Sequence, residues 1–593
     1  MIAANLKFYW LRLRNASIAE LSDRLRQLLL IHFLKRGNIQ WAPEESAIAH
    51  ARSRDIFFPE ITGGVDPPIL EAILQGRTFY LSTDPRKLVE FQKNTSTVFL
   101  DDINPQAEPV DIRCAWEAAR LQHLAILMAC SDRSGFSSSH CLEFVKFHLC
   151  KWIGENPFPY GAHYMSVMES GLRIPVFLYA LTNLKDLSRA EADRILSSLY
   201  VHAWWISKRL SLYSSLGNHT IAEAAGLVFG GVVFQNAEQG RRWLERGIGL
   251  LGQELPHQIL DDGGPAEQSL GYHRFVLDLY WLVIGLLELN RISDCSEWKP
   301  RLMQGEKFLR RFEDGHGHYP AIGDSDDGHA FAPGLHPKCA VPGVEWETVT
   351  HFPDTGYTIF RPDHDVWLSF DHGPLGMPPF YNHGHADALS IVLSKKDTPF
   401  IVDPGTYRYN NEPRWRRYFK STRCHNTVSI DDCDQAYQET GFVWSHPYRA
   451  RLHQAEETER GYMLEASHDG YERLKKPVRH HRTLFINGNG TIRILDTFTG
   501  KGMHDFELNF HLHPEVIAFR KENRWILVRD QLKISLGSLD GKSFRLVKGQ
   551  KEPILGWYSP AYGVKVETGV LTCRIREDVG RAAFTTLIRM EGD

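Results

Sequence analysis

Residues 482–498, RTLFINGNGTIRILDTF, decide how the second half of this chain reads. Apolar and polar residues alternate on both sides of Asn487-Gly488-Asn489-Gly490, and Asn and Gly accept the positive φ angles of a tight connection, so the stretch predicts a β-hairpin. The same period of two runs outward through TGYTIFRP at 355–362, DVWLSFDHG at 365–373, PFIVDPGTYRY at 399–409, HNTVSID at 425–431 and FELNFHLHP at 506–514. Thr499-Gly500-Lys501-Gly502 reads as a second hairpin-like connection. Residues 345–593 are therefore expected to form an antiparallel β-sandwich.

Upstream the period changes to that of a helix. Apolar spacing predicts helices over 112–130, 141–153, 165–181, 190–213, 219–234, 241–255 and 269–289, separated by Gly-, Asn-, Pro- and Asp-rich connectors. Antiparallel pairs closing into an (α/α) incomplete toroid would bury such a series, which sets a toroid domain at 111–335. The region 324–342 reads as the linker to the sandwich. Residues 1–110 form a helical and mixed segment expected to pack on the toroid, with a basic amphipathic helix first and short strands such as RTFYLST at 77–83. The expected fold class is thus multidomain α and β.

A chain of 593 residues exceeds one ordinary hydrophobic core. Lys plus Arg at 68 nearly balances Asp plus Glu at 72, which argues against a nucleic-acid partner and requires any polyanion to be met by a local patch. No apolar run approaches the roughly 20 residues of a membrane span. Lys and Arg are spread through the first residues rather than placed ahead of an apolar core, and the nine Cys form no CxxC pair, so a cytoplasmic protein with reduced thiols is expected. A leader removed beforehand would instead place it in the periplasm or outside the cell. Oligomeric state is not legible.

Four clusters can carry chemistry. Asn218-His219 opens a helix, where the plainer reading makes Asn218 an N-cap and His219 an ordinary first-turn residue. Tyr272 and His273 are adjacent on a helix and point in different directions, so at most one faces a given cleft; a buried, hydrogen-bonded Tyr is the plainer alternative. In Tyr381-Asn382-His383-Gly384-His385-Ala386-Asp387, an extended backbone would place both histidines on one face, and Gly384 permits close backbone approach. Asp403 and His425 would complete a His, Asp, His set with His385, suited to one divalent ion: zinc first, with manganese or calcium as alternatives. Finally, Arg414, Arg416, Arg417, Lys420 and Arg423 are interleaved with Trp415, Tyr418 and Phe419. Such a run is usually a solvated face, yet guanidinium forks match carboxylates and sulfates, and aromatic rings stack on sugars.

Together these motifs resemble the heparinase II/III superfamily of polysaccharide lyases. The resemblance rests on WEAAR at 116–120, Met168-Glu169 with Arg173, Asn218-His219, Asp262-Gly263-Gly264 with Glu267, Tyr272-His273, GDSDDG at 323–328, HGHAD at 383–387, DPGTY at 403–407 and STRCHNTV at 421–428. It implies a toroid joined to a β-sandwich, with a cleft between them and a structural metal in the sandwich. It matches Asn218 to the amide that neutralises a uronate carboxylate, His219 and His383 to cleft histidines and Tyr272 to the catalytic tyrosine. His385, Asp403 and His425 match the metal ligands. Glu267, His273, Arg414, Trp415, Arg417 and Arg423 are the candidates for substrate contact. Pro265-Ala266 departs from the bulkier or polar residues of relatives and puts a subsite in doubt.

The implied reaction is β-elimination on an anionic polysaccharide, glycosaminoglycans first and alginate second. It needs a donor for the growing charge on the carboxylate, a base for the C5 proton and an acid for the leaving O4. His219 is the first choice of base and Tyr272 of acid. With the opposite C5 configuration a deprotonated Tyr272 could serve as both. The competing readings are a toroid glycoside hydrolase using Asp261, Asp262 and Glu267, and a non-catalytic glycan-binding or assembly protein.

Overall fold

The computed structural model describes residues 16–591 except 77–83, 106–109, 131–137, 214–215, 340–342, 344–346, 363–364, 460 and 489. The strands expected in RTFYLST lie outside the described residues. Two units are present: a helical one built from 1–258, 275–300 and 328–340, and a sheet-rich one built from 259–274, 301–327 and 341–593. Their interleaving differs from the single boundary at 335–345 read from periodicity, which reports local structure and not which unit a segment packs in. Residues 259–274 and 301–327, most of which fall in the stretch read as toroid, belong with the sheets.

In the helical unit the central element is Asn218–Val233, in which every residue except His219 is buried. A helix apolar on all faces must be surrounded, and it packs against Val167–Asn183, Arg189–Lys208 and Glu238–Gln258. Two expected helices end early. The stretch 112–130 is two helices, Ile112–Ala119 and Gln122–Ala129, broken at Leu121 with φ 62°; Arg120 at the break is drawn inward to Glu169 at 2.7 Å. The helix 190–213 runs from Arg189 to Lys208 behind a Ser188/Glu191 capping box, and Ser211 instead donates its backbone N–H to Glu223 at 2.6 Å. Ile61–Gly63 pairs with Leu335–Pro337, so part of the supposed linker is a strand of this unit. Leu270–Leu289 has the length and apolarity of a membrane helix, but 83% of that apolar window is buried in the protein.

The sheet unit contains antiparallel sheets of eight, four and five strands. Val478–Asn487 pairs with Ile492–Gly500 in the predicted hairpin, with Ile486 opposite Ile492 and Leu484 opposite Ile494. Its burial alternates residue by residue, as a strand with one face on a core requires. The TGKG connection is not a hairpin: Ile492–Gly500 lies in the eight-stranded sheet and Met503–His511 in the four-stranded one. Both strands keep the period of two, so the pattern could not distinguish a turn within a sheet from a crossing between sheets. Phe360, Leu368 and Leu393 share one core with Leu464, Ile494, Leu508 and Leu571, contributed by all three sheets.

Candidate active site and metal centre

Asp324 organises the site in the sheet unit. It follows the positive-φ Gly323 and is fully buried. One carboxylate oxygen lies 3.0 Å from His383 Nδ1, the other 3.1 Å from His385 Nε2, and the Arg416 guanidinium donates to both, one bond measuring 2.7 Å. Burial alone would raise the Asp324 carboxyl, but Arg416 and the histidine donors overcome it and hold the group well below the usual carboxylate range. The segment carrying both histidines is irregular rather than a strand. They nevertheless converge on one carboxylate, and the close approach expected of Gly384 is met, since a Cβ there would sit 1.5 Å from the Leu375 carbonyl oxygen.

Beyond His385 lies a convergence of acceptors. Asp324 is ionised, so His385 Nε2 carries the proton and Nδ1 is a lone pair. His425 Nδ1 donates to the Ser421 carbonyl at 2.7 Å, so its Nε2 is a lone pair as well. These two unprotonated nitrogens are 3.2 Å apart, and Asp403 Oδ2 is 3.6 Å from His425 Nε2. Burial pushes His385 down to about 4 and His425 well below its ordinary range, so neither ring supplies a proton between them at neutral pH. Burial and the nearby Asp387 push the Asp403 carboxyl well up, against the Gly405 N–H that it accepts at 3.0 Å. Three buried donor atoms within 4.8 Å of one another could hold a metal ion. Asn426 ties the ligand segments together: its amide donates to the Ile391 and Val402 carbonyls at 2.8 and 2.9 Å and accepts from His511 N–H at 2.6 Å.

On the other side of Asp324, the His383 ring lies against Tyr272, 4.0 Å from ring centre to ring centre with a tilt of 37° between the planes. The Tyr272 hydroxyl donates to Asp326 at 2.7 Å and lies 3.1 Å from the Tyr409 hydroxyl. His385, Asp324, His383 and Tyr272 thus form one series of hydrogen bonds and ring contact within a single unit. Asn218 and His219 lie in the helical unit. The N-cap there is Gly217 with φ 127°, and Asn218 is the first helical residue, so the N-cap reading of Asn218 is set aside. Asn218 is buried, and His219 lines a cavity of about 270 Å³.

Residues 88–330 match the heparinase II/III N-terminus and residues 347–589 the heparinase II/III-like C-terminal domain. The chain belongs to the heparinase II/III family. This family member is 21% identical over 398 residues to a heparin-sulfate lyase of Bacteroides stercoris and 25% identical over 380 residues to one of Pedobacter heparinus. These alignments cover 62% and 58% of this chain but only 56% of either relative, little more than half its length. A crystal structure of heparinase III superposes with a TM-score of 0.69 at 16% identity, covering 95% of this chain and 91% of that one, which establishes the toroid-plus-sandwich fold class.

The remaining sequence candidates of this family member fall elsewhere. His273 is buried with Nε2 3.2 Å from the Gly305 carbonyl oxygen and its ring against Phe308, a core position rather than a substrate contact. Glu267 is buried. Arg414 pairs with Glu552, and Arg423 pairs with Glu507 at 2.7 Å. Arg417 is exposed. Trp415 belongs to an aromatic cluster with Tyr407 and Trp557, with the Lys565 ammonium 4.6 Å from its ring centre. The basic run therefore divides by side of its short helix: Arg416 and Lys420 turn inward, the latter donating to the Asn382 carbonyl at 3.0 Å, beside His383. Asp324, Asp326 and Asn426 were within quoted motifs, yet the sequence assigned them no role. Their partners lie 54 to 92 positions away along the chain for the two aspartates and cannot be read from spacing.

Proposed function

We propose that this protein is a polysaccharide lyase that cleaves uronate-containing glycosaminoglycans, heparan sulfate first among them, by β-elimination. The observation that carries the reading is the Tyr272 hydroxyl held by Asp326 beside a histidine whose Nδ1 is engaged by Asp324. In this reaction the C5–H electron pair forms the C4=C5 double bond, the C4–O4 bond breaks, and O4 leaves with a proton. Asn218 neutralises the uronate carboxylate as charge builds, with His383 assisting. His219 takes the C5 proton and Tyr272 gives its phenolic proton to O4. The carboxylate 2.7 Å from the Tyr272 oxygen supports this division, because a neighbouring negative charge opposes a resting tyrosinate and keeps the phenol protonated.

His385, Asp403 and His425 would hold one structural divalent ion, zinc on the strength of its nitrogen and oxygen donors. When bound, that ion supplies a fixed coordination geometry. It acts on the site by orienting His385, whose other nitrogen shares Asp324 with His383. A glycoside hydrolase is not supported. Asp262 is consumed by hydrogen bonds from Gly264, Asp354 and Thr355, and Asp261 pairs with Arg301.

The test is a screen of heparin, heparan sulfate, hyaluronan, chondroitin sulfates and alginate for an ultraviolet-absorbing unsaturated product, with metal analysis of the purified protein. Heparan sulfate should give product, and about one zinc per chain should be found. New reducing ends without ultraviolet absorbance, or no turnover of any polymer, would overturn the reading.

A further inference from the structure

In the Arg414–Arg423 run, Arg414, Arg416 and Arg423 are committed to Glu552, Asp324 and Glu507, which leaves Arg417 exposed. The helical unit offers another source of positive charge. Its cavity of about 270 Å³ is lined by His219, Arg209, Trp116, Ser211 and Tyr213. Two charges of the Ile18–Lys35 helix also line it, and both are neutralised locally: Arg24 by Glu20 at 2.6 Å and Asp23 by Arg26 at 2.6 Å.

Arg209 differs. Among the described residues its guanidinium makes no ion pair and no hydrogen bond; it rests on the Trp205 ring, 5.1 Å from its centre. Burial lowers its proton affinity, the mark of a cation stripped of part of its water. The carboxylates that act on it are Asp101 and Glu223. Glu223 is fully buried, bound by the Ser211 backbone N–H and hydroxyl, and burial pushes it up to about 8, so it is mostly uncharged at neutral pH. The cavity that Arg209 and His219 line therefore keeps a partly desolvated positive charge, with Asp101 the remaining carboxylate among the described residues that acts on it. Trp116 is oriented by its indole N–H donating to the Ala162 carbonyl at 2.9 Å.

We infer that this cavity is an anion subsite in which Arg209 binds one oxyanion, a carboxylate or a sulfate, of an acidic sugar lying against Trp116. The volume is below the roughly 300–1,000 Å³ of pockets that enclose a whole ligand, which suits one sugar unit of a polymer. A planar guanidinium matches either oxyanion through two parallel N–H donors, whereas an ammonium offers only a point charge. The inference deepens the lyase reading and rests on it for the identity of the ligand.

The experiment compares wild type, Arg209→Gln and Arg209→Lys, each with a thermal melt, on heparan sulfate and on its unsulfated, N-acetylated precursor polymer. Binding of a heparin disaccharide is followed in parallel by tryptophan fluorescence. Arg209→Gln should raise KM at least tenfold with kcat changed less than threefold, Arg209→Lys should recover part of the loss, and the fluorescence response should disappear in Arg209→Gln. A loss confined to the sulfated polymer assigns the oxyanion as sulfate; an equal loss on both assigns it as carboxylate. KM within twofold of wild type on both polymers, with disaccharide binding intact, overturns the subsite. Wild type that binds the disaccharide but turns over neither polymer would sink the lyase reading and leave the subsite supported.

Discussion

Each unit buries a carboxylate gripped by arginine, and the two hubs do different things with it. In the helical unit, Glu169 takes the Arg120 fork at 2.7 and 2.9 Å, while Arg173 beside it donates to His202 at 3.0 Å and to the His163 carbonyl. The described partners of Glu169 end in helix-packing side chains, and the hub acts as a strut. In the sheet unit, Asp324 takes the Arg416 fork in the same way, but its remaining capacity goes to His383 and His385. One of those rings continues to Tyr272 and the other to the His385, Asp403, His425 trio that could hold a metal ion. The contrast teaches that a buried, arginine-held carboxylate is not itself a sign of function; what its remaining oxygen lone pairs hold decides the matter.

The sharpest way to break the comparison is at the end of the second hub. Tyr272→Phe should lower kcat by about 10³-fold or more, as expected when a positioned acid is lost, with the melting temperature little changed. An active Tyr272→Phe protein would remove the tyrosine from the mechanism. Glu169→Gln should do the opposite. It leaves Arg120 buried with one charge partner fewer and should cost about 3–5 kcal/mol of stability, read by denaturant unfolding, while the folded fraction keeps the wild-type KM.

Asp324→Asn tests whether the second hub is more than a strut. It should lower kcat about 10–100-fold, the usual cost of losing an outer partner of a metal ligand, and weaken metal retention on dialysis. A pure stability loss with kcat and metal content intact would make the two hubs equivalent. The last test concerns pH. His163 is buried, both its ring nitrogens lack a partner among the described residues, and burial pushes it down to about 3. Its unfolded value is about 6.5, so below that pH the unfolded chain binds a proton that the folded one refuses. Stability should then fall by about 1.4 kcal/mol per pH unit as pH drops from about 6.5 toward 3. His202, His273 and His511 are buried and pushed down in the same way, so His163→Leu should make the melting profile between pH 7 and 5 shallower without flattening it, and an unchanged slope would remove His163 from it.

What the amino-acid sequence determined by itself is what depends on neighbours along the chain. Helical and strand periods, the 487–490 hairpin and the residue types able to ligate a metal or donate a proton were legible because backbone geometry converts short spacings into faces. His385, Asp403 and His425 were readable as a candidate cluster since few side chain types can bind a divalent ion, and the fold brings their donor atoms within 4.8 Å of one another. What only the tertiary structure decided depends on residues far apart in sequence. It placed 259–274 with the sheets, so that Tyr272 lies against His383, and it made Asp324 a shared partner where spacing read a linker. It also turned Arg416 inward while Arg414 faces the surface. Those outcomes follow from the burial of charge: a buried guanidinium must find a carboxylate wherever the fold brings one, and sequence separation carries no record of that choice.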